Sequence, residues 1–343
     1  MRSSLQQCLN VSDQKFIDHL HRSFNDPQLA AIQWAAMHTA AGTNGVGSAR
    51  RQEPWPFTLV QGPPGTGKTH TVWGMLNVIH LVQYEHYYGA LLKKLAPESY
   101  RQSYNNANSI GTGSIDDVIQ SMDRTLFRML PKLCPKPRML VCAPSNAATD
   151  ELLQRVLDSG FIDGEMKVYR PDVARVGVGS QNRAAQAVSV EHRTEILLGK
   201  CREEVIGYMQ QLQGREVNLS QKISGLQREL SATAAAGRSQ GTVGVDPDVL
   251  VARDHSRDQL LQNLAAVVEE RDKVLVELSC LFILESRFRP GGEFNMEEAR
   301  SNLEASFASE AEIAFTTVSS TDPKLFQRLA HGFDMVVIDE ATS

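Results

Sequence analysis

Eight consecutive residues, Gly62 to Thr69 (GPPGTGKT), leave few folds open to this chain. They match G-x-x-x-x-G-K-T at every fixed position. The setting also fits: a β-type run, Phe57 to Gln61, leads in, and an amphipathic helical stretch from Lys68 to about Val82 leads out. Strand, glycine loop and helix together make a phosphate cradle. The glycines let the backbone turn tightly enough for its N–H groups to surround an anion, and the helix start adds positive potential. On this reading Gly62, Pro63, Pro64, Gly65, Thr66, Gly67, Lys68, Thr69 and His70 line a nucleotide. Lys68 reaches the β- and γ-phosphates, and the Thr69 hydroxyl binds Mg²⁺.

Such a cradle needs a metal-binding carboxylate at the end of a buried strand. Met335 to Ile338, followed by Asp339-Glu340, supplies one. Asp339 is placed near the metal, and Glu340 orients or deprotonates the attacking water, so Lys68, Asp339 and Glu340 are the candidate catalytic residues. Met139–Ala143 and Ile313–Val318 read as further buried strands, with shorter apolar runs at 167–169 and 174–178 and a helix at 146–157. Strands alternating with helices predict a parallel α/β sheet. Asp26-Pro27 reads as a helix start with Asp26 as N-cap. Residues 101–114, polar and glycine-rich, read as a surface loop.

A segment of another character interrupts this pattern. Val205, Leu212, Leu219 and Leu226 lie seven apart, with Met209, Ile223 and Leu230 interleaved and Glu216 as the break. Leu260, Val267, Val274 and Leu281 repeat in the same way, joined by Leu264 and Leu278, with Arg271 as the exception. Two heptad seams with a short connection predict an antiparallel coiled-coil hairpin, helices at about 196–232 and 248–284, in which Glu216 and Arg271 pair. The resulting division is 1–55 as an N-terminal helical segment, 56–190 and 301–343 as two parts of an α/β core, and 191–300 as the inserted hairpin.

Composition adds exclusions. No apolar run approaches 18 residues, which argues against membrane insertion, and the start MRSSLQQCLN lacks the apolar centre of a signal peptide. Five scattered cysteines without Cys-x-x-Cys spacing fit a reduced compartment and argue against a zinc site. A net charge of −5 neither suggests nor excludes a local basic groove.

The spacing of the motifs separates the P-loop families. From Lys68 to Asp339 is 271 positions (339 − 68), too long for an AAA+ remodelling ATPase, which remains the third reading. Asn25 and Gln28 in FNDPQ resemble the Q motif of Upf1-like helicases of superfamily 1, with Phe24 where Leu is usual. Ala143 to Leu152 (APSNAATDEL) resembles their motif Ia, Phe315 to Ser319 (FTTVS) their motif Ic, and Asp339 to Thr342 (DEAT) their motif II. The run from YYGALLKKLAPESY through PKPRMLVCAPSNAATDELL to YRPDVARVGV is most similar to the senataxin type, nearest to the plant MAGATAMA group.

The resemblance implies a RecA-like P-loop NTPase domain with the helical hairpin inserted. It implies ATP with Mg²⁺ as cofactors, and ATP-driven unwinding of RNA or DNA, including RNA–DNA hybrids, in the nucleus, with the cytoplasm as the alternative. Gln28 would pair with adenine, and Ser145, Asn146, Thr316 and Thr317 would contact phosphates of a single strand. Helix capping by Ser145 and Asn146, and simple strand packing by Thr316 and Thr317, are the plainer readings. Ser343 stands where Gln often follows in relatives, and motifs III to VI are not in the sequence. The expectation is therefore a fragment without the second motor domain and its arginine fingers, poorly active alone. A non-catalytic nucleotide- or nucleic-acid-binding remnant is the rival.

Overall fold

A computed structural model describes residues 14–43, 57–96, 135–180, 182–240, 247–289, 294–320, 323–329 and 331–341. The loop expected at 101–114 lies outside them. The helices and strands follow in chain order: α1 (Gln14–Ser23), α2 (Asp26–Thr43), α3 (Lys68–Leu95), β1 (Met139–Ala143), α4 (Asn146–Ser159), β2 (Phe161–Ile162), β3 (Val168–Tyr169), β4 (Val173–Arg175), α5 (Arg183–Ala187), α6 (Val190–Leu198), α7 (Arg202–Gln240), α8 (Pro247–Glu285), α9 (Met296–Glu310), β5 (Ile313–Thr317), α10 (Pro323–Gln327) and β6 (Met335–Ile338). They form two compact units, one of residues 1–86, 137–200 and 293–343, the other of 87–136 and 201–292.

The first unit is α/β. Its sheet has the order β4-β5-β1-β6 with every pairing parallel, as the alternating pattern predicts. Successive side chains of a strand face opposite ways. Met139 and Val141 of β1 join Ile313 and Phe315 of β5 in a core with α1, α2, α3 and α4. Leu140, Cys142 and Ala314 point to the other face, against Phe326 and Phe333. Both faces of β1 and β5 are therefore buried, which is why β1 reads as an unbroken apolar run and β5 as apolar residues ending in two β-branched threonines. At the rim, β6 pairs with β1 alone among the described residues, and Val336 and Ile338 remain about half exposed.

One expected strand is not there. Residues 57–61 lead into the glycine loop without strand structure, and Phe57, Leu59 and Val60 are exposed. A strand exists only with a ladder partner, and among the described residues none pairs with this segment, so β-propensity alone does not make it one. Helix α2 also starts differently from the expectation. Asn25, not Asp26, caps it: the Asn25 side chain accepts from the Gln28 N–H (3.1 Å), and the Gln28 side chain accepts in return from the Asn25 N–H (3.0 Å). This reciprocal pair is a capping box, which satisfies two orphan donors at once.

The second unit is helical. Helices α7 and α8 pack together along their length in the expected hairpin, and the Gln227 amide donates to the Leu95 carbonyl at the end of α3 (3.3 Å). In α8 the seam before Arg271 is rotated by one residue from the expected column. Leu261 and Val268 are buried, whereas Leu260 and Val267 are only partly covered. Glu216 and Arg271 pair across the seam at 2.7 Å, and Ser220 donates to the same carboxylate oxygen (2.9 Å). Their side chains keep 22% and 15% of their exposure, so water weakens the pair without abolishing it. Glu216→Ala or Arg271→Ala should each lower the stability of the hairpin by about 1–3 kcal/mol by stranding the other charge. Replacing both with Leu should restore it, because apolar pairs often replace buried ion pairs at no cost. Chemical denaturation followed by circular dichroism measures this, and two neutral single variants would remove the pair from the seam's holding contacts.

Candidate nucleotide and nucleic-acid site

All four strands of the sheet run parallel, so their carboxyl ends open at one rim, where open α/β sheets bind ligands. The glycine loop delivers its residues there. Gly65 and Gly67 both sit at φ +78°, a left-handed conformation that strains any residue with a Cβ. Gly67 has a second reason to be glycine, since a Cβ there would come within 2.9 Å of the Gln28 amide nitrogen. Lys68 folds back over the loop, and its ammonium donates to the carbonyls of Gly62 (3.0 Å) and Pro63 (3.1 Å). The Thr66 hydroxyl donates to the same Pro63 carbonyl (2.8 Å). Thr69 and His70 open helix α3 directly behind, half-buried.

Gln28 is tied into this loop. Its amide nitrogen donates to the Thr66 carbonyl (3.1 Å) while its oxygen serves the capping box. Each end keeps one further hydrogen-bonding capacity, so the amide can still meet a base edge. Aromatic stacking ties Phe24, four residues before it, to α3. Phe24 lies on the His70 ring with centroids 4.6 Å apart, and His70 in turn stacks with Trp73 at 5.8 Å. Phe24 also fills the space over Gly74, where a Cβ would collide with its ring at 2.5 Å. The bulkier Phe24 thus has its complement in a glycine nearly two turns into α3.

Asp339 ends β6 beside β1, and its N–H donates to the Cys142 carbonyl (2.9 Å). Burial pushes its carboxyl above the ordinary aspartate range. The Glu340 N–H donating to it (3.1 Å) and the nearby Lys68 charge pull the other way, while Glu340 and Glu151 add repulsion. Glu340 is exposed and held at φ +52°, a conformation costly for a residue with a Cβ and one that clusters at functional sites. The structure therefore brings together Lys68 and Asp339, with Thr69 adjacent in sequence to Lys68. Among the described residues no group of three or more His, Cys, Asp or Glu could cage a metal. One carboxylate and one hydroxyl suit Mg²⁺, which keeps most of its waters and takes its remaining ligands from substrate phosphates.

The other expected contacts lie further along the same rim. Ser145 is the N-cap of α4, its hydroxyl accepting from the Ala148 N–H (3.2 Å), yet it stays exposed. Asn146 is half-buried and donates weakly to the Val178 carbonyl (3.4 Å). Thr316 and Thr317 are placed differently from the expectation. Both are buried in β5, with Thr317 accepting from the Ser320 N–H (3.1 Å) and the Thr316 carbonyl accepting from Thr149 (3.2 Å). At that strand end it is Val318 and Ser319 that face solvent.

Sequence reasoning missed the network beneath. Arg175 is fully buried, and its guanidinium donates to Asp150 (2.9 Å), to Asn146 and to the Val176 carbonyl. The second Asp150 oxygen accepts from Ser180 (2.6 Å). The available signal was a lone arginine inside an apolar strand, which calls for a buried partner. His80 is another such anchor, between the Tyr169 hydroxyl and Glu312 at 3.0 Å each; burial foremost, then the Glu312 charge, raises the Tyr169 phenol far above its usual range.

Comparison with known proteins agrees with this geometry. The family model AAA_11, described as an AAA domain, matches residues 23–343. Helicase sen1 of Schizosaccharomyces pombe is 27% identical over 92% of this chain and 15% of its own length. Helicase SEN1 of Saccharomyces cerevisiae is also 27% identical, over 83% of this chain and 11% of its own. The probable helicase MAGATAMA 3 of Arabidopsis thaliana reaches 31% identity over 40% of this chain and 19% of its own. The chain thus spans less than a fifth of each of these three relatives. With a family model covering nearly all of it, the chain belongs to the AAA_11 family, and along its length it is similar to helicases of the senataxin type.

Proposed function

We propose that this chain is the nucleotide-binding part of an ATP-dependent helicase acting on single-stranded RNA or DNA, including the strands of RNA–DNA hybrids, in the nucleus. The observation that supports it most is the meeting of Lys68 and Asp339 at one end of a parallel sheet, each delivered by the element its motif calls for. On this reading Gly62 to His70 hold ATP, and Lys68 leaves the Gly62 and Pro63 carbonyls for the β- and γ-phosphates. Thr69 and Asp339 hold Mg²⁺, which neutralises phosphate charge. Glu340 takes the proton of the attacking water at its carboxylate. Ser145 and Asn146 contact the phosphates of the strand, and the buried Thr316 and Thr317 shape the rim from below.

Base choice tests the nucleotide half of this reading. A P-loop grips phosphates and is indifferent to the base, so selectivity falls to Gln28, whose amide can accept from adenine N6 and donate to N7. Guanine offers two acceptors there and leaves one side of the amide unmet. Gln28→Ala should weaken ATP more than GTP, by about 5- to 150-fold in their ratio. Titration of both nucleotides measures it. An unchanged ratio would assign Gln28 to the capping box and the Thr66 carbonyl alone.

A further inference from the structure

The amino ends of the strands carry a cavity that the proposed motor site does not use. It measures about 270 Å³ and lies where Val173 opens β4 and Ala311 precedes β5, at the opposite end of the parallel strands from the carboxyl rim. Val173, Val188 and Phe307 give it apolar walls. Those walls are fixed: the Val188 carbonyl accepts from the Arg175 N–H (2.9 Å), and the Asp172 carbonyl from the Glu312 N–H (2.8 Å). Arg193 of α6 also lines the cavity, its guanidinium 4.1 Å over the Phe307 ring and 3.6 Å from a Glu310 carboxylate oxygen. Neither contact uses an N–H group as a hydrogen-bond donor. Among the described residues nothing accepts a hydrogen bond from this guanidinium, and the side chain keeps 34% of its exposure. With Asp172 and Glu310 in the lining, two carboxylates stand against one guanidinium.

We infer that this cavity takes one apolar side chain of a partner polypeptide, whose backbone carbonyl accepts from Arg193 and whose neighbouring Lys or Arg faces Asp172 and Glu310. The size selects a side chain, since the space falls below the usual range for cofactors. The charge selects the rest. A nucleic acid or an anionic lipid would set phosphates against the excess of carboxylate, whereas a basic peptide brings the opposite sign. The guanidinium, already held on Phe307, meets a carbonyl without first being ordered. A partner anchored at the amino ends leaves the carboxyl rim open, so it can stay bound while nucleotide exchanges there.

The full chain, labelled at its leucine and valine methyls and titrated with blocked tetrapeptides, tests this by NMR. The peptide acetyl-Ala-Leu-Lys-Ala-amide should shift the methyls of Val173 and Val188. With Ser in place of Leu, binding should weaken at least about 10-fold, the effect of burying one leucine. With Glu in place of Lys, it should weaken at least about 3-fold through repulsion. Ala187 is exposed at the end of α5 and lines the same cavity, so Ala187→Trp fills the space while leaving the core intact, as thermal melting checks. That variant should abolish the peptide-dependent shifts. Arg193→Met keeps a stem on Phe307 and removes the donors, and should weaken binding about 5-fold. No response at Val173 and Val188, equal response to the leucine and serine peptides, or shifts that survive Ala187→Trp would overturn the cavity as a docking site. Equal affinity for the lysine and glutamate peptides would overturn the choice of a basic partner.

Discussion

Arg175→Ala should cost the α/β unit about 3–5 kcal/mol, because it leaves the Asp150 carboxylate buried without its cation. Arg175 has no exposed surface, and three acceptors from two elements depend on it. The magnitude comes from the stranded partner more than from the lost bonds. Arg175→Leu combined with Asp150→Leu should therefore lose much less than either change alone. Urea unfolding reads both, as a fall in midpoint at unchanged slope for the single variants. A loss below about 1 kcal/mol for Arg175→Ala would mean that water reaches Asp150 and solvates it. Because the same guanidinium fixes Asn146, loosening of the first turn of α4 accompanies the destabilisation.

At the proposed nucleotide site the largest effect is expected from Lys68. Lys68→Ala removes the one ammonium in the loop and should lower Mg-ATP turnover about 10²- to 10³-fold, the range seen when a preorganised donor to a developing negative charge is deleted. Nucleotide affinity should fall as well. Glu340→Gln separates binding from chemistry: it keeps the shape and removes proton acceptance, so binding should persist while phosphate release slows by about 10²-fold or more. Single-turnover phosphate release beside equilibrium titration distinguishes the two variants. Equal turnover in Glu340→Gln and wild type would move the proton-accepting role to another group.

What the sequence disclosed was mostly local. The glycine loop is legible because its conformation demands glycine at Gly65 and Gly67, both with positive φ. Strands β1 and β5 are legible because burial on both faces fills them with apolar and β-branched residues. The Glu216–Arg271 pair is legible because two heptad columns each carry one interruption, and an antiparallel register brings them level. The failures depend on partners far away in the chain. Residues 57–61 have strand composition without a neighbour to pair with, and composition carries no record of that. Thr316 and Thr317 look the same in sequence whether they face a ligand or the core, and the packing of α4 across β5 decides it. Nothing near Arg175 in sequence points to Asp150, 25 positions before it and on another element.

The rim position of β6 has a consequence for the life of the protein in a cell. Among the described residues no strand pairs with its outer row of backbone donors and acceptors, and that row, flanked by half-exposed Val336 and Ile338, is a template for strand addition. Until something covers that row, it is a surface that chaperones and proteases can engage and that another nascent chain can stack upon. How quickly β6 is covered after synthesis should then bear on the abundance of this polypeptide, beside the stability of the rest of the sheet. The strand that carries Asp339, the proposed metal ligand, would also be the strand that proteostasis engages.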